Sequence, residues 1–200
     1  LKQRILKLQG QQQQLQFLQN ENRRLRELLG SDARESARRM VAEVIAVASE
    51  PFSQQLVINK GTLSGVYEGQ PVLDSSGIIG QVQDVGGNTA RVLLISDQSH
   101  AISLRSERND IRALAQGTGD IGRLELMFIP HSTELREGDL LMSSGLGGVF
   151  PEGYPVARIA SIVRDESLPF ATVFADPVSA LDRVRNVLLL WPSESELQPI

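Results

Sequence analysis

Hydrophobic residues in the first 29 positions recur with a heptad spacing that predicts an amphipathic helix. With Leu1 at heptad position a, six of the ten a and d positions up to residue 32 are leucine. The segment has no proline and consists largely of glutamine, leucine, arginine and glutamate, which are good helix formers. A narrow leucine stripe on a polar helix is typical of a coiled coil, so we expect this helix to self-associate.

The seam of this predicted coiled coil contains one polar residue among its leucines. The residues that we assign to self-association are Leu8, Leu15, Leu18, Asn22, Leu25 and Leu29. An asparagine at position a favours a register in which the asparagines of two helices meet. Glu21 and Arg26 occupy g and e positions that suit an ion pair between parallel helices. The alternative is a lone helix packed on its own domain, and the pattern leaves the direction of pairing open.

From Met40 onward, short runs of valine, isoleucine and leucine alternate with glycine-bearing turns about every ten residues. This pattern predicts twelve strands, with no helix longer than two turns among them, and is typical of an all-β sandwich or barrel. The predicted strands cover residues 40–48, 55–59, 70–74, 78–85, 90–96, 101–105, 112–116, 123–129, 140–143, 156–163, 171–175 and 184–191.

We therefore predict a mainly β protein with an N-terminal coiled-coil helix and two small six-stranded barrels. The arrangement is that of the chymotrypsin-like proteases, without a catalytic site. Small closed barrels remove the exposed edges that a flat sheet would leave. The pattern does not tell which barrel takes the last strand. The predicted segments are the helix at 1–30, a linker or short helix at 31–39, the first barrel at 40–106, the second barrel at 107–191 and a disordered tail at 192–200.

A glycine- and proline-rich stretch between the ninth and tenth predicted strands also carries apolar side chains. Glycine permits tight turns and proline fixes φ, so we expect a rigid loop. An ordered apolar loop loses little entropy on binding, which makes this loop a candidate interface. The alternative is that Phe150 closes a barrel end. The candidate interface residues are Gly145, Gly147, Gly148, Val149, Phe150, Pro151, Gly153 and Tyr154.

Composition argues against several kinds of chemistry. The chain has no cysteine, and its two histidines lie at no metal-ligand spacing, so we expect neither a disulfide nor a metal site. The glycine cluster does not open a helix, so no cofactor is expected. Residues 1–40 carry a net charge of +5 and residues 41–200 carry −9. Few aromatics and an acidic β region do not suit nucleic acid, whereas the basic segment favours a solvated helix face or an anionic surface.

The two-barrel arrangement raises one catalytic alternative, a chymotrypsin-like serine protease or a degenerate relative. His100, one of Asp110, Asp120 or Asp139, and then Ser144 follow the order of the residues in that catalytic triad. The serine lacks the Gly-Asp dipeptide that precedes it in the protease family. We therefore expect no catalytic residue and no enzymatic activity.

Several motifs follow one another along the chain after the leucine-rich helix. The motifs are Gly61-x-x-x-Gly65-Val66-x-x-Gly69-x-x-Val72, Gly77-Ile78-Ile79-Gly80-x-Val82, Arg91-Val92-Leu93-Leu94-Ile95-Ser96-Asp97, Glu137-Gly138-Asp139 and Ser143-Ser144-Gly145-Leu146-Gly147-Gly148-Val149-Phe150-Pro151-x-Gly153-x-Pro155-Val156. Taken together, they resemble the MreC family of rod-shape-determining proteins. The resemblance covers residues 20–191 in order, and the Ser-Gly-Leu-Gly-Gly-Val-Phe-Pro run is specific. One departure is Ala157, where family members often carry glycine.

The resemblance implies a non-enzymatic scaffold of the bacterial cell-wall elongation complex, which controls cell shape. It implies self-association as a dimer or filament and binding to the elongation transpeptidase, a class B penicillin-binding protein. It also implies a link to MreD and MreB, either indirect or through the membrane part. The implied location is the inner membrane, crossed once, with this region in the periplasm. The longest apolar run, residues 187–191, is too short for a span, so we expect the span outside this chain.

Overall fold

The computed structural model describes residues 2–28, 38–50, 53–193 and 197, and the side chains of residues 23–28 and 49–50 lie outside that description. The chain divides into two compact units, Leu1–Ser36 and Ala37–Ile200. The first unit contains helix α1 (Lys2–Leu28), which confirms the helix predicted from the heptad spacing. None of the described helices has the length and apolar character needed to cross a bilayer.

The second unit contains twelve strands, one for each predicted strand. Six close into a first barrel and six into a second barrel, so the predicted fold class is confirmed. The strands are β1 (Arg38–Glu50), β2 (Ser53–Ile58), β3 (Pro71–Leu73), β4 (Ile78–Val85), β5 (Ala90–Leu94), β6 (Ala101–Ser106), β7 (Arg112–Gly117), β8 (Leu124–Ile129), β9 (Leu140–Ser143), β10 (Pro155–Val163), β11 (Ala171–Pro177) and β12 (Asn186–Trp191).

Side chains that alternate along the strands fill each barrel. In β6 the even positions Ile102 and Leu104 are almost fully buried while their neighbours are more exposed, which is the period of two expected of a strand with one buried face. The first barrel has the strand order β1-β12-β3-β4-β5-β2 and the second has β10-β11-β8-β7-β6-β9. All described neighbours within each barrel pair antiparallel.

The predicted boundary between the barrels is wrong, because β6 belongs to the second barrel and β12, whose barrel the pattern left open, belongs to the first. Strand β6 pairs with β7 and β9 in the second barrel. Strand β12 returns to the first barrel, where it pairs with β1 and β3. Closing six strands fixes these partners, whereas the sequence prediction assigned strands by their order along the chain. Strand β1 also begins at Arg38, inside the predicted linker.

Hydrogen bonds and close backbone contacts join the two barrels. The backbone N–H of Gln54 donates to the Asp97 carboxylate at 2.7 Å, and its side-chain amide donates to the Gly119 carbonyl at 2.5 Å. A Cβ added to Gly77 would lie 2.2 Å from the Pro155 carbonyl oxygen, so only glycine fits at this contact. The last of these contacts places Pro155, where the glycine-rich stretch ends and β10 begins, beside the first barrel.

Candidate functional site: the helix stripe and the glycine-rich loop

The described part of the leucine stripe on α1 is exposed. Leu8, Leu15 and Leu18 keep 59%, 58% and 56% of their surface accessible within this single chain. Burying such side chains against a partner is favourable by about 1.5–3 kcal/mol each. Asn22 is also exposed. The other two predicted seam positions, the Leu25 side chain and Leu29, lie outside the described residues, as do the predicted helix end at Gly30 and most of the predicted linker.

The glycine-rich loop, residues 144–154, has a shape that depends on left-handed backbone conformations. Gly145, Gly147, Gly148 and Gly153 have φ values of 78°, 92°, 69° and 91°. Such values are readily adopted by glycine and strained for other residues. The loop is therefore specified by its glycines, in agreement with the expectation of an ordered turn.

Ser143 ties the two ends of this loop together. Its hydroxyl donates to the Pro151 carbonyl at 2.5 Å and accepts from the Tyr154 N–H at 3.0 Å. Its backbone carbonyl accepts from the Gly153 N–H at 2.9 Å. The sequence analysis did not assign this role to Ser143. The available signal was a serine at a strand end directly before a glycine-rich turn, where its hydroxyl can bond nearby backbone.

Phe150 is a core residue, so its assignment as an interface contact has to be corrected. Its side chain is 5% exposed and its ring meets the His100 ring edge-on, with 5.8 Å between centroids. The Phe150 side chain therefore belongs to the hydrophobic core and does not face a partner. Val149 and Tyr154 are partly buried and pack against the same core, and Pro151 is also buried.

The surface that the loop offers to a partner is correspondingly small. Gly147 and Gly148 are exposed, and the side chains of Val149 and Tyr154 are partly exposed. The Tyr154 hydroxyl accepts a hydrogen bond from the Arg39 guanidinium of β1 at 3.3 Å, which links the loop to the first barrel. If the loop is an interface, its backbone and these two side chains make the contact.

The structure does not assemble the serine–histidine constellation of a protease. His100 is 3% exposed, and neither ring nitrogen has a hydrogen-bond partner among the described residues. The Ser144 hydroxyl bonds to Ser103 instead, at 2.8 Å between hydroxyl oxygens. A triad needs a histidine that is oriented by a carboxylate and bonded to the serine, and neither contact is present among these residues.

Two of the candidate carboxylates are held by arginines. Asp139 accepts from the Arg108 Nε at 2.9 Å and Nη2 at 3.0 Å, and the Arg108 guanidinium holds the pKa of the Asp139 carboxyl below its usual value. Asp110 pairs with Arg105 at 2.6 Å. Within the part of the chain that the structure describes, no group of three histidine, aspartate or glutamate side chains is placed to hold a metal ion.

A polar helix with an exposed leucine stripe and two closed six-stranded barrels define the class of this protein: a double-barrel protein with an N-terminal helix. Its barrel residues 44–191 match the family described as Rod shape-determining protein MreC, barrel core. The chain belongs to this family, and the resemblance drawn from its motifs is confirmed.

Known relatives and solved structures agree with this assignment. The chain is 46% identical over 200 residues to the cell shape-determining protein MreC of Haemophilus influenzae, of which it covers 57%. It therefore spans little more than half the length of that relative, while all of this chain is matched. The crystal structure of MreC from Pseudomonas aeruginosa is 49% identical, with a TM-score of 0.74 over 76% of this chain and 98% of that chain.

A further structure is a complex between a penicillin-binding protein, PBP2, and MreC from Helicobacter pylori. Its similarity to this chain has a TM-score of 0.58 at 18% identity, and it covers 78% of this chain and 99% of that one. At this identity the likeness shows the shared fold alone.

Proposed function

We propose that this chain is the periplasmic part of a non-enzymatic scaffold of the bacterial cell-wall elongation complex. In this proposal it controls cell shape by associating with itself and by binding the elongation transpeptidase, a class B penicillin-binding protein. The observation that carries the proposal is the exposed leucine stripe of α1 in a family of shape-determining proteins. A stripe of this kind on a polar helix is explained by a second helix.

The polar groups of the barrels support a binding role rather than a catalytic one. Ser143 and Ser144 use their hydroxyls to hold the loop and a neighbouring strand, and Asp139 is engaged by Arg108. His100 lies in the core against Phe150. Ser144, His100 and Asp139 thus each have a structural role, which supports a chain that acts by contact.

The transpeptidase is the partner that the relatives favour. The Helicobacter pylori MreC with the same fold is found in a complex with PBP2. On this chain, our candidate contact consists of the exposed backbone at Gly147 and Gly148 and the partly exposed side chains of Val149 and Tyr154. Its backbone is already ordered by the Ser143 hydrogen bonds, which reduces the entropy lost on binding.

The family assignment also supports a place for the chain in the cell. We infer that the whole protein is anchored once in the inner membrane, that this region lies in the periplasm, and that MreD and MreB are reached indirectly or through the membrane part. The β region carries a net charge of −9 over residues 41–200, which disfavours nucleic acid as a partner.

Removing the leucine stripe should abolish self-association. We expect the Leu15→Ser/Leu18→Ser chain to sediment at the monomer mass of 21.9 kDa, while the unchanged chain sediments at twice this mass or more. The reason is that two apolar seam positions per helix become polar. Equilibrium sedimentation over a range of concentrations measures the difference.

The matched control for this experiment is the Gln13→Ser/Gln16→Ser chain. It lowers helix propensity by the same type of substitution on the opposite face of α1, at heptad positions f and b. We expect this control to keep the mass of the unchanged chain. Equal masses for the leucine variant and the unchanged chain would contradict self-association through this helix.

A further inference from the structure

Strand β1 of the first barrel extends beyond the point where its pairing with β12 ends. Strand β1 pairs with β12 only as far as Glu43, opposite Asn186, and the Val44 N–H then bonds to the Arg185 carbonyl at 2.8 Å. Beyond that point, residues 45–50 of β1 pair with β2 alone among the residues that the structure describes. A bulge between Val44 and Ala46 separates the two stretches. This stretch, residues 45–50, is called the β1 edge below.

Beyond its bulge, the β1 edge lacks, over residues 45–49, the charged side chains and proline that often prevent an edge strand from pairing. Residues 45–49 read Ile-Ala-Val-Ala-Ser, without charge, lysine or proline. Ile45 and Val47 are 55% and 65% exposed, and Ala46 is exposed as well. A groove of about 290 Å³, lined in part by Val47, Leu56, Ile121, Leu181 and Val184, runs beside it. An exposed apolar edge of this kind is a template for another strand.

The equivalent edge of the second barrel is covered, which provides an internal comparison. Strand β10 also has a bulge, between Ile159 and Ser161, and it extends past the end of its pairing with β9. There the Ile159 N–H and carbonyl bond to the backbone of Asp139 and Gly138. The Ile162 N–H donates to the Glu137 carboxylate at 3.3 Å. The same strand extension is thus closed in one barrel and open in the other.

We propose that the β1 edge pairs antiparallel with the β1 edge of a second copy of this chain, with the two Val47 residues facing each other across a two-fold axis. This proposal rests on the proposed self-association through α1 and names a second contact between the associated copies. Identical edges that meet in this way form an isologous interface. In a register centred on Val47, residues 45–49 of one copy lie opposite residues 45–49 of the other. These residues are uncharged, so no like charges face each other across the pair.

The size of the β1 edge favours a second copy over an unrelated partner. Five residues per strand cannot supply the roughly 1,200–2,000 Å² that a stable interface between separate proteins buries. A copy already held by the helix needs much less, because tethering raises its effective concentration to about the millimolar range. The edge therefore serves as an accessory contact between copies that α1 has brought together.

A disulfide cross-link tests this pairing directly, because the chain contains no cysteine of its own. In the proposed register the Cβ atoms at position 47 lie about 4.5–5.5 Å apart, within reach of a disulfide after small adjustments. With copper phenanthroline as oxidant, we expect Val47→Cys chains to form covalent dimers about tenfold faster than Val41→Cys chains.

Val41 is the matched control for Val47. It lies on the same strand with 62% of its surface exposed, but outside the β1 edge, in the stretch that pairs with β12, opposite Leu188. The proposal would be overturned if Val47→Cys chains formed dimers no faster than Val41→Cys chains. An edge that binds a different protein instead of a second copy would give this same result. Sedimentation of the same samples shows whether association through α1 has also failed, so the two proposals can be rejected separately.

Discussion

Replacing Phe150 by alanine is expected to lower the free energy of unfolding by about 3–5 kcal/mol. Phe150 is 5% exposed, and its ring packs in the hydrophobic core against His100. Truncation to alanine removes the buried ring and leaves a cavity that the tied loop cannot easily collapse into. Urea denaturation followed by circular dichroism measures the change as a shift of the unfolding midpoint.

The control for this substitution is Phe128→Ala. Phe128 is 66% exposed. Among the aromatic residues that the structure describes, its ring contacts Phe170 alone, edge-on, with 5.6 Å between centroids. Its loss should cost about 1 kcal/mol or less. If Phe150→Ala were as mild as Phe128→Ala, the loop would not depend on its buried phenylalanine. A loss of partner binding in Phe150→Ala would report disorder of the loop rather than a lost contact.

The second large effect is a loss of stability in acid that His100 causes. Burial lowers the pKa of His100 to about 4, and the neighbouring Asp97 carboxylate opposes this only in part. In the unfolded chain a histidine titrates near 6.5. Between these values the unfolded state binds a proton that the folded state excludes, so stability falls as the pH drops from about 6.5 to about 4. The full difference amounts to about 3 kcal/mol.

Urea denaturation at several pH values between 4 and 7 tests this effect when the unchanged chain is compared with His100→Leu. Leucine is apolar and does not titrate, so we expect the variant to lose much less stability across this interval. Titrating groups that do not interact with His100 contribute equally to both chains and cancel in the comparison, which leaves His100 and its neighbour Asp97. Parallel stability curves for the two chains would contradict a proton-excluding environment at His100.

The elements of this fold could be predicted from the sequence because each is encoded locally. The heptad leucines predicted α1, and the alternation of apolar residues between glycine-bearing turns predicted all twelve strands. The partners of those strands are not encoded locally. Strand β12 carries the same valine–leucine pattern as its neighbours in sequence, yet it pairs with β1 about 150 residues away, since barrel closure and not sequence order decides the pairing.

The candidate site was predictable only in part for a related reason. The glycines of the loop could be identified from the sequence, because positive φ demands them. Whether Phe150 points outward or inward depends on the Ser143 hydrogen bonds and on the position of His100, which arrives from a distant part of the chain. The β1 edge was missed because an unpaired edge exists only in relation to where β12 ends.

The central claim is that this chain works by binding other proteins, and calorimetric titration with the periplasmic part of the elongation transpeptidase tests it most directly. We predict saturable binding with a fixed stoichiometry by the unchanged chain. A Val47→Lys chain should bind the transpeptidase equally well, because the β1 edge is proposed to contact a second copy of this chain and not the transpeptidase. A folded chain that releases no saturable heat with the transpeptidase at any attainable concentration would contradict the claim.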